Sequence, residues 1–289
     1  MKLISNYRDN ELLRSSFIQL AADIFGLDFK NWHKKGYWGE RYVPYSFAEG
    51  DRIVANVSVN RLEIIMDGKS YRGLQIGTVM THPDYRNRGL SASLMNHILD
   101  EYSGKYDFMY LFANDNVLDF YPRFGFERME ESQYSVSFFS GDRGGKLRKL
   151  AIGDSNDLLL IEKMVYGREP VSRSFGTANS GGITMYHVLN VFADHLYYFE
   201  EEDSIVIFTK EEDKVHLYDV ISKAPININM LLERITPKKT SEIVFHYAPD
   251  YEGLEYELSP FQREGALFVK KGAALAFPSS VKHPVTSEA

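Results

Sequence analysis

The sequence predicts an α/β (α+β) protein: mixed β-sheets flanked by helices, two units in tandem. Three observations carry this. A length of 289 residues suits two domains. The segment 106–113 is apolar on both faces, as befits a strand buried in the middle of a sheet. The two halves also run through the same order of elements, although they share little sequence identity. The best linker, Ser140-Gly141-Asp142-Arg143-Gly144-Gly145-Lys146, divides an expected domain at 1–140 from another at 146–289.

Along the first half, a short strand precedes a helix. Leu13, Phe17, Ala21 and Ile24 recur at helical spacing, Asn10 is placed to cap that helix and Gly26 to end it. The aromatic stretch 32–45 reads as a core plug in preference to the wall of a pocket. Strands follow at 42–48, 52–66 and 69–81, separated by Glu49-Gly50 and Asp67-Gly68. Asp-Gly between strands signals a two-residue hairpin, so residues whose numbers sum to 135 should face each other. That register sets Glu63 opposite Arg72, as a cross-strand ion pair, and Asn56 opposite Val79. Leu90, Leu94, Ile98 and Tyr102 mark a helix, and a short helix is expected over 117–124.

In the second half, strands are expected at 147–152, 195–199, 204–209, 214–222, 242–247, 254–258 and 266–270. Helices are expected around 158–165, 185–193 and 227–235. Glu200-Glu201-Glu202-Asp203 reads as a solvated turn, with attraction of a cationic amine as the other reading.

Composition excludes several classes of function. The net charge of −7 argues against general affinity for nucleic acid or anionic membranes. The absence of cysteine removes disulfides, thiolate metal sites and a cysteine nucleophile together. The first residues lack a signal peptide's apolar core, and no apolar run is long enough to span a bilayer, so a cytoplasmic protein is expected. No His-Glu-x-x-His or similar spacing points to a metal, and His187 and His195 read as structural. The run 140–146 departs from a P-loop in spacing and in its final residue.

The chemistry is concentrated in Val79-Met80-Thr81-His82-Pro83-Asp84-Tyr85-Arg86-Asn87-Arg88-Gly89-Leu90-Ser91-Ala92. A strand ends, the chain turns, and a helix begins within Arg-x-x-Gly-x-Ser. Free amides at a helix N-terminus and the helix dipole favour an anion there. Gly89 permits close backbone approach, and Arg86 and Arg88 reverse the local charge of an acidic chain. Taken alone, the pattern reads equally well as an ordinary helix start with two solvated arginines.

This segment resembles the acyl-CoA-binding motif of the GCN5-related N-acetyltransferase (GNAT) superfamily. A second match lies at the family's spacing: 110–116 resembles its fifth strand and exit, and Phe120-Tyr121-Pro122-Arg123-Phe124-Gly125-Phe126-Glu127 its Tyr-x-x-x-Gly-Phe ending. The wording is most similar to the multi-domain enhanced intracellular survival branch. The resemblance covers about 1–140 and is specific over 76–127. It implies acetyl-CoA as co-substrate, no metal, and acetyl transfer to a small-molecule or peptide amine by direct attack.

Residue by residue, the resemblance implies that Val79, Met80 and Thr81 offer backbone groups to the pantetheine arm. Asn87, Arg88, Gly89, Leu90, Ser91 and Ala92 would wrap the diphosphate, flanked by Arg86. Asn116 would lie near the cofactor. Tyr121 would protonate the departing thiolate, a role open to a phenol. The Met80 N–H would stabilise the oxyanion. Ser91 stands where the family has Gly or Ala.

The general base is not legible. No carboxylate lies on 69–81, and Glu63 falls roughly 23 Å from Val79 along the strand. His82, Asp115 and Asp119 stay open, and Asn56 and Ser58 are expected as polar groups near the acetyl. In the resembling branch a terminal carboxylate delivered by a third domain serves as base, and this chain looks too short for that domain. In the second half, Pro225 removes a donor where a cradle would need one, so that half is expected to be a degenerate GNAT-like copy or an unrelated α/β domain. The rival function is a non-catalytic acyl-CoA-binding or regulatory module. A homo-oligomer is compatible with the sequence.

Overall fold

A computed structural model describes residues 1–138, 147–272 and 275–289. The chain opens with β1 (Lys2–Ser5), α1 (Glu11–Phe25) and α2 (Lys30–Lys34), followed by a meander of β2 (Tyr42–Glu49), β3 (Arg52–Met66) and β4 (Lys69–Thr81). After α3 (Leu90–Glu101) come β5 (Phe108–Ala113), β6 (Glu127–Met129) and β7 (Ser132–Ser137). The second half comprises β8 (Arg148–Lys149), α4 (Ser155–Gly167), β9 (Phe175–Ala178), α5 (Gly181–Asn190), β10 (Leu196–Phe199), β11 (Ser204–Glu211) and β12 (Lys214–Ile221). It closes with α6 (Ile228–Ile235), β13 (Glu242–Phe245), β14 (Glu257–Pro260) and β15 (Ala266–Lys271).

Local signals explain several boundaries. The Asn10 side chain accepts from Leu13 N, and Gly26 ends α1 in the left-handed region at φ 69°. The segment expected as a short helix over 117–124 is instead two 3₁₀ turns, Asp115–Val117 and Tyr121–Phe124. Pro122 lies at the start of the second turn, and Gly125 stops it. The acidic run forms the 3₁₀ turn Glu200–Glu202 before β11, where Glu202 accepts from Asn227 N.

Two mixed sheets result. One runs β1-β2-β3-β4-β5-β15-β6 with β9 added on β3, and the other runs β14-β7-β13-β12-β11-β10-β8. In the first, β4 and β5 are parallel and joined through α3; in the second, β12 and β13 are parallel and joined through α6. Three strands cross the expected domain boundary. β7 pairs with β13, while β9 and β15 pair with β3 and β5. The expected linker at 140–146 lies outside the described residues. The largest cluster in aromatic content joins Phe17, Phe29, Trp32, Trp38 and Tyr42 to Met185, Val188 and Leu196, so both halves share one core. No helix among the described residues is long and apolar enough to cross a membrane.

The hairpin register holds from Met66↔Lys69 through Glu63↔Arg72 to Ser58↔Gly77 and then slips by one. A bulge between Asn56 and Ser58 sets Asn56 opposite Met80, not Val79, and Thr78 takes φ 45° within it. Glu63 faces Arg72, yet the two do not pair. Arg72 binds Asp107 at 2.8 Å, and Glu63 accepts from Ser70 and Asn179.

Candidate active site

The bulge lies where β4 and β5 part. Their parallel pairing runs from Gly73↔Phe108 to Ile76↔Leu111 and stops, so β4 from Gly77 to Thr81 has no partner on its β5 side. A cavity of about 1010 Å³ opens in the gap, lined by 76–81 on one wall and by Leu111, Phe112, Asn114, Asn116 and Tyr121 on the other. Arg86 and Ser91 stand at one end, and Phe29, Trp32, Tyr42 and Tyr186 at the other.

Of the residues singled out in the sequence, Val79, Met80, Thr81, Arg86, Ser91, Asn116 and Tyr121 line this cavity. Thr81 Oγ1 and Ser91 Oγ are 2.8 Å apart, joining the strand end to the start of α3. Gly89 caps that helix at φ 72°, its N-terminus has no side-chain cap, and a Cβ on Gly89 would meet no atom within 4 Å. Asn87, Arg88, Gly89, Leu90 and Ala92 are not part of the cavity wall. The Arg88 guanidinium donates to Asp84 O at 2.8 Å and stands 4.9 Å from the Tyr85 ring centre, while Leu90 is buried in the core.

An acyl-CoA fits these residues. An unpaired strand edge suits an amide-bearing arm, and an uncapped helix start with open space at Gly89 suits a diphosphate. The equivalent place in the second half does not. There Asn227 caps α6 by accepting from Met230 N, and buried Asp219 is held by Arg168 at 2.6 and 2.7 Å and by Thr286 at 2.5 Å. Among the described residues, no group of three or more potential metal ligands occurs.

Tyr121 is 4% exposed and packs on Phe120, Phe126 and Phe268. Burial pushes its phenol up to about 12, so it carries its proton throughout the neutral range. The expected polar neighbours are not at the cleft. Asn56 and Ser58 are fully buried, with Asn56 bonded to Ser46, Ser58 and Thr78 O, and Ser58 bonded to Tyr42. His82 is structural, since Nδ1 accepts from Asp84 N and Nε2 lies 2.8 Å from Arg52. Asp115 accepts from Gly265 N, and neither it nor Asp119 lines the cavity.

Sequence reading missed what fills the gap between the strands. Ser287, Glu288 and Ala289 enter it, and the carbonyl atoms of Ala289 come within 3.4 Å of where a Gly77 Cβ would stand. The buried Gln75 carboxamide donates to Ser287 O at 2.8 Å and accepts from Ala289 N. Its Nε2 also donates to the Tyr110 hydroxyl at 2.8 Å, and that hydroxyl lies 3.0 Å from His283 Nε2. His283 Nδ1 lies 3.1 Å from Pro284 O, which only accepts, so Nδ1 carries the proton and Nε2 accepts from Tyr110. His187 Nε2 donates to Glu288 O at 2.7 Å. On the other side, Arg263 binds Glu288 at 2.6 Å and Glu131 at 3.0 Å. Burial raises the Glu288 carboxyl above the usual range. No local sequence signal could have placed 287–289 here, because β15 carries the chain into the first sheet from the far half.

Residues 10–129 match the family model described as an acetyltransferase (GNAT) domain. No curated protein matches the chain. Among solved structures, the chain is similar to a conserved protein of unknown function from Enterococcus faecalis V583, described as a probable N-acyltransferase. That match has a TM-score of 0.63 at 14% identity, over 94% of this chain and 73% of the other. A GCN5-related N-acetyltransferase from Kribbella flavida gives 0.56 at 16% identity, covering 93% and 71%. Eis1 from Mycobacterium abscessus gives 0.56 at 12%, covering 94% and 73%. At these identities the likeness is one of fold.

Proposed function

We propose that the protein is an acetyl-CoA-dependent N-acetyltransferase that acetylates a primary amine by direct attack, working in the cytoplasm. One observation carries the reading: the parted β4 and β5 bring an unpaired strand edge and a buried protonated tyrosine to one cavity. Bound acetyl-CoA would supply an activated acetyl thioester. Val79, Met80 and Thr81 would hold the pantetheine arm, and the turn from Arg86 to Ala92 the diphosphate.

The remaining chemistry belongs to the chain's own residues. The Tyr121 hydroxyl holds the proton for the departing thiolate, and burial keeps it there at working pH. The Met80 N–H is the candidate donor to the developing oxyanion. Every side chain considered above leaves unfilled the role of taking the proton from the attacking amine. Gln75, donating to Ser287 O and accepting from Ala289 N, holds residues 287–289 beside Gly77.

The second half is read as a degenerate copy of the first. The matching order of three antiparallel strands, helix and parallel strand supports this, as does the exchange that sets β7 beside β13 and β15 beside β5. The copy contributes α5 to the acceptor end of the cleft. Release of free CoA thiol across a panel of amines tests the reading; binding of acetyl-CoA with no amine-dependent release would point to a non-catalytic module.

A further inference from the structure

Beside the main cavity lies a chamber of about 260 Å³, and Trp32, Tyr42, Asn60 and Ile183 line both. Asn60 therefore stands on the wall between them. It is 3% exposed, and its Nδ2 is buried with no hydrogen-bond partner among the described residues. The contrast with its neighbours is sharp. Asn56 and Ser58, on the same face of β3, belong to a closed network with Ser46, Tyr42 and Thr78. A buried donor left unpaired is disfavoured unless something else accepts from it.

The chamber's charges indicate what accepts. Arg41 and Arg61 are exposed on its lining, and their guanidiniums donate to the backbone carbonyls of Arg61 and Glu40. Neither has an ion-pair partner among the described residues. Arg168, also on the lining, is neutralised by Asp219, which leaves Glu40 as the acidic group there. Two guanidiniums without an ion-pair partner and an unpaired amide donor form a receptor for an anionic oxygen.

Resting on the reading of the main cavity as the acetyl-transfer cleft, we propose that the acceptor is an amine bearing a carboxylate at its far end. That carboxylate enters the side chamber against Asn60, Arg41 and Arg61, and the amine lies beside Gly77. Asn60 pairs with Gln75 and Ser58 with Gly77, so the two levels are about 7 Å apart along the strand. An unbranched ω-amino acid of six carbons spans that interval.

Both tryptophans of the chain, Trp32 and Trp38, lie in the adjoining core, so intrinsic fluorescence reports binding without turnover. The experiment titrates 6-aminohexanoate and hexylamine into the full chain and into Asn60→Leu and Arg41→Ala/Arg61→Ala. The expected result is about tenfold tighter binding of the amino acid, a preference that falls to about twofold or less in both variants. Equal or tighter binding of hexylamine, binding of neither compound, or a preference that survives in the variants overturns the proposal. The same compounds assayed for acetyl-CoA-dependent thiol release keep the two claims apart. Acetylation of both without preference leaves the transferase standing and removes the carboxylate site. Preferential binding with no acetylation of either removes the transferase.

Discussion

The carboxamide of Gln75 donates to the carbonyl of Ser287 at 2.8 Å, fastening the middle of β4 to a residue 212 positions later. The same group accepts from Ala289 N, so one side chain holds residues 287–289 in the gap between β4 and β5. Gln75→Ala frees that segment without touching the helix start proposed for the diphosphate. Steady-state kinetics should show kcat lowered by about tenfold or more, because the cavity wall beside Gly77 loses its fixed position. Affinity for acetyl-CoA, measured by calorimetry, should stay within about threefold.

Tyr121 is buried among Phe120, Phe126 and Phe268 with its ring on the cavity wall. Tyr121→Phe keeps that packing and removes the proton. A general acid lost in this way should lower kcat by about 10²–10⁴-fold while leaving thermal unfolding nearly unchanged. Because the phenol is pushed up to about 12, its ionisation should give no alkaline fall in kcat below about pH 10.

Gly89 combines a left-handed backbone at φ 72° with open space where a side chain would point. Gly89→Ala should therefore cost about 1 kcal/mol of stability from the backbone alone, with little change in CoA affinity. Gly89→Asp carries the same strain and adds a negative charge at the helix start. CoA titrations should show binding weaker by about tenfold for Asp relative to Ala. Equal affinities for the two variants would remove the diphosphate cradle from this helix.

His246 and His283 are both lowered to about 3, first by burial and then by neighbouring cations such as Lys282. With folded values below the unfolded ones, the unfolded chain takes up protons first as pH falls. Their contribution is complete above about pH 6.5 and is lost progressively toward pH 3. Denaturant unfolding should lose up to about 2.7 kcal/mol per pH unit within that window from the two together. His283→Gln should remove about half of that slope, and protonation of His283 also breaks its bond from Tyr110.

What was legible in the sequence was local or periodic. Asn10 and Gly26 bracket α1 as their chemistry requires, and the Asp67-Gly68 turn fixes the hairpin register as far as Ser58↔Gly77. The register then fails by one residue, because the bulge at Thr78 has no sequence marker: its φ of 45° is imposed on a threonine. The Glu63–Arg72 pair was read from facing positions alone, and Asp107, 35 residues beyond Arg72, takes the guanidinium instead. Of the eleven residues expected to contact acetyl-CoA, six (Val79, Met80, Thr81, Arg86, Ser91 and Asn116) line the cavity, as does Tyr121, the expected general acid. The strand exchange through β7, β9 and β15 and the docking of 287–289 depend on pairing between distant segments, which no local pattern encodes.

The most direct test is the rate of free CoA thiol release from acetyl-CoA with and without an amine, in the full chain and in Tyr121→Phe. The account predicts amine-dependent release in the full chain and its loss by about 10²-fold or more in the variant, with acetyl-CoA still bound by both. Binding of acetyl-CoA by both proteins, with release that no amine accelerates, would contradict it.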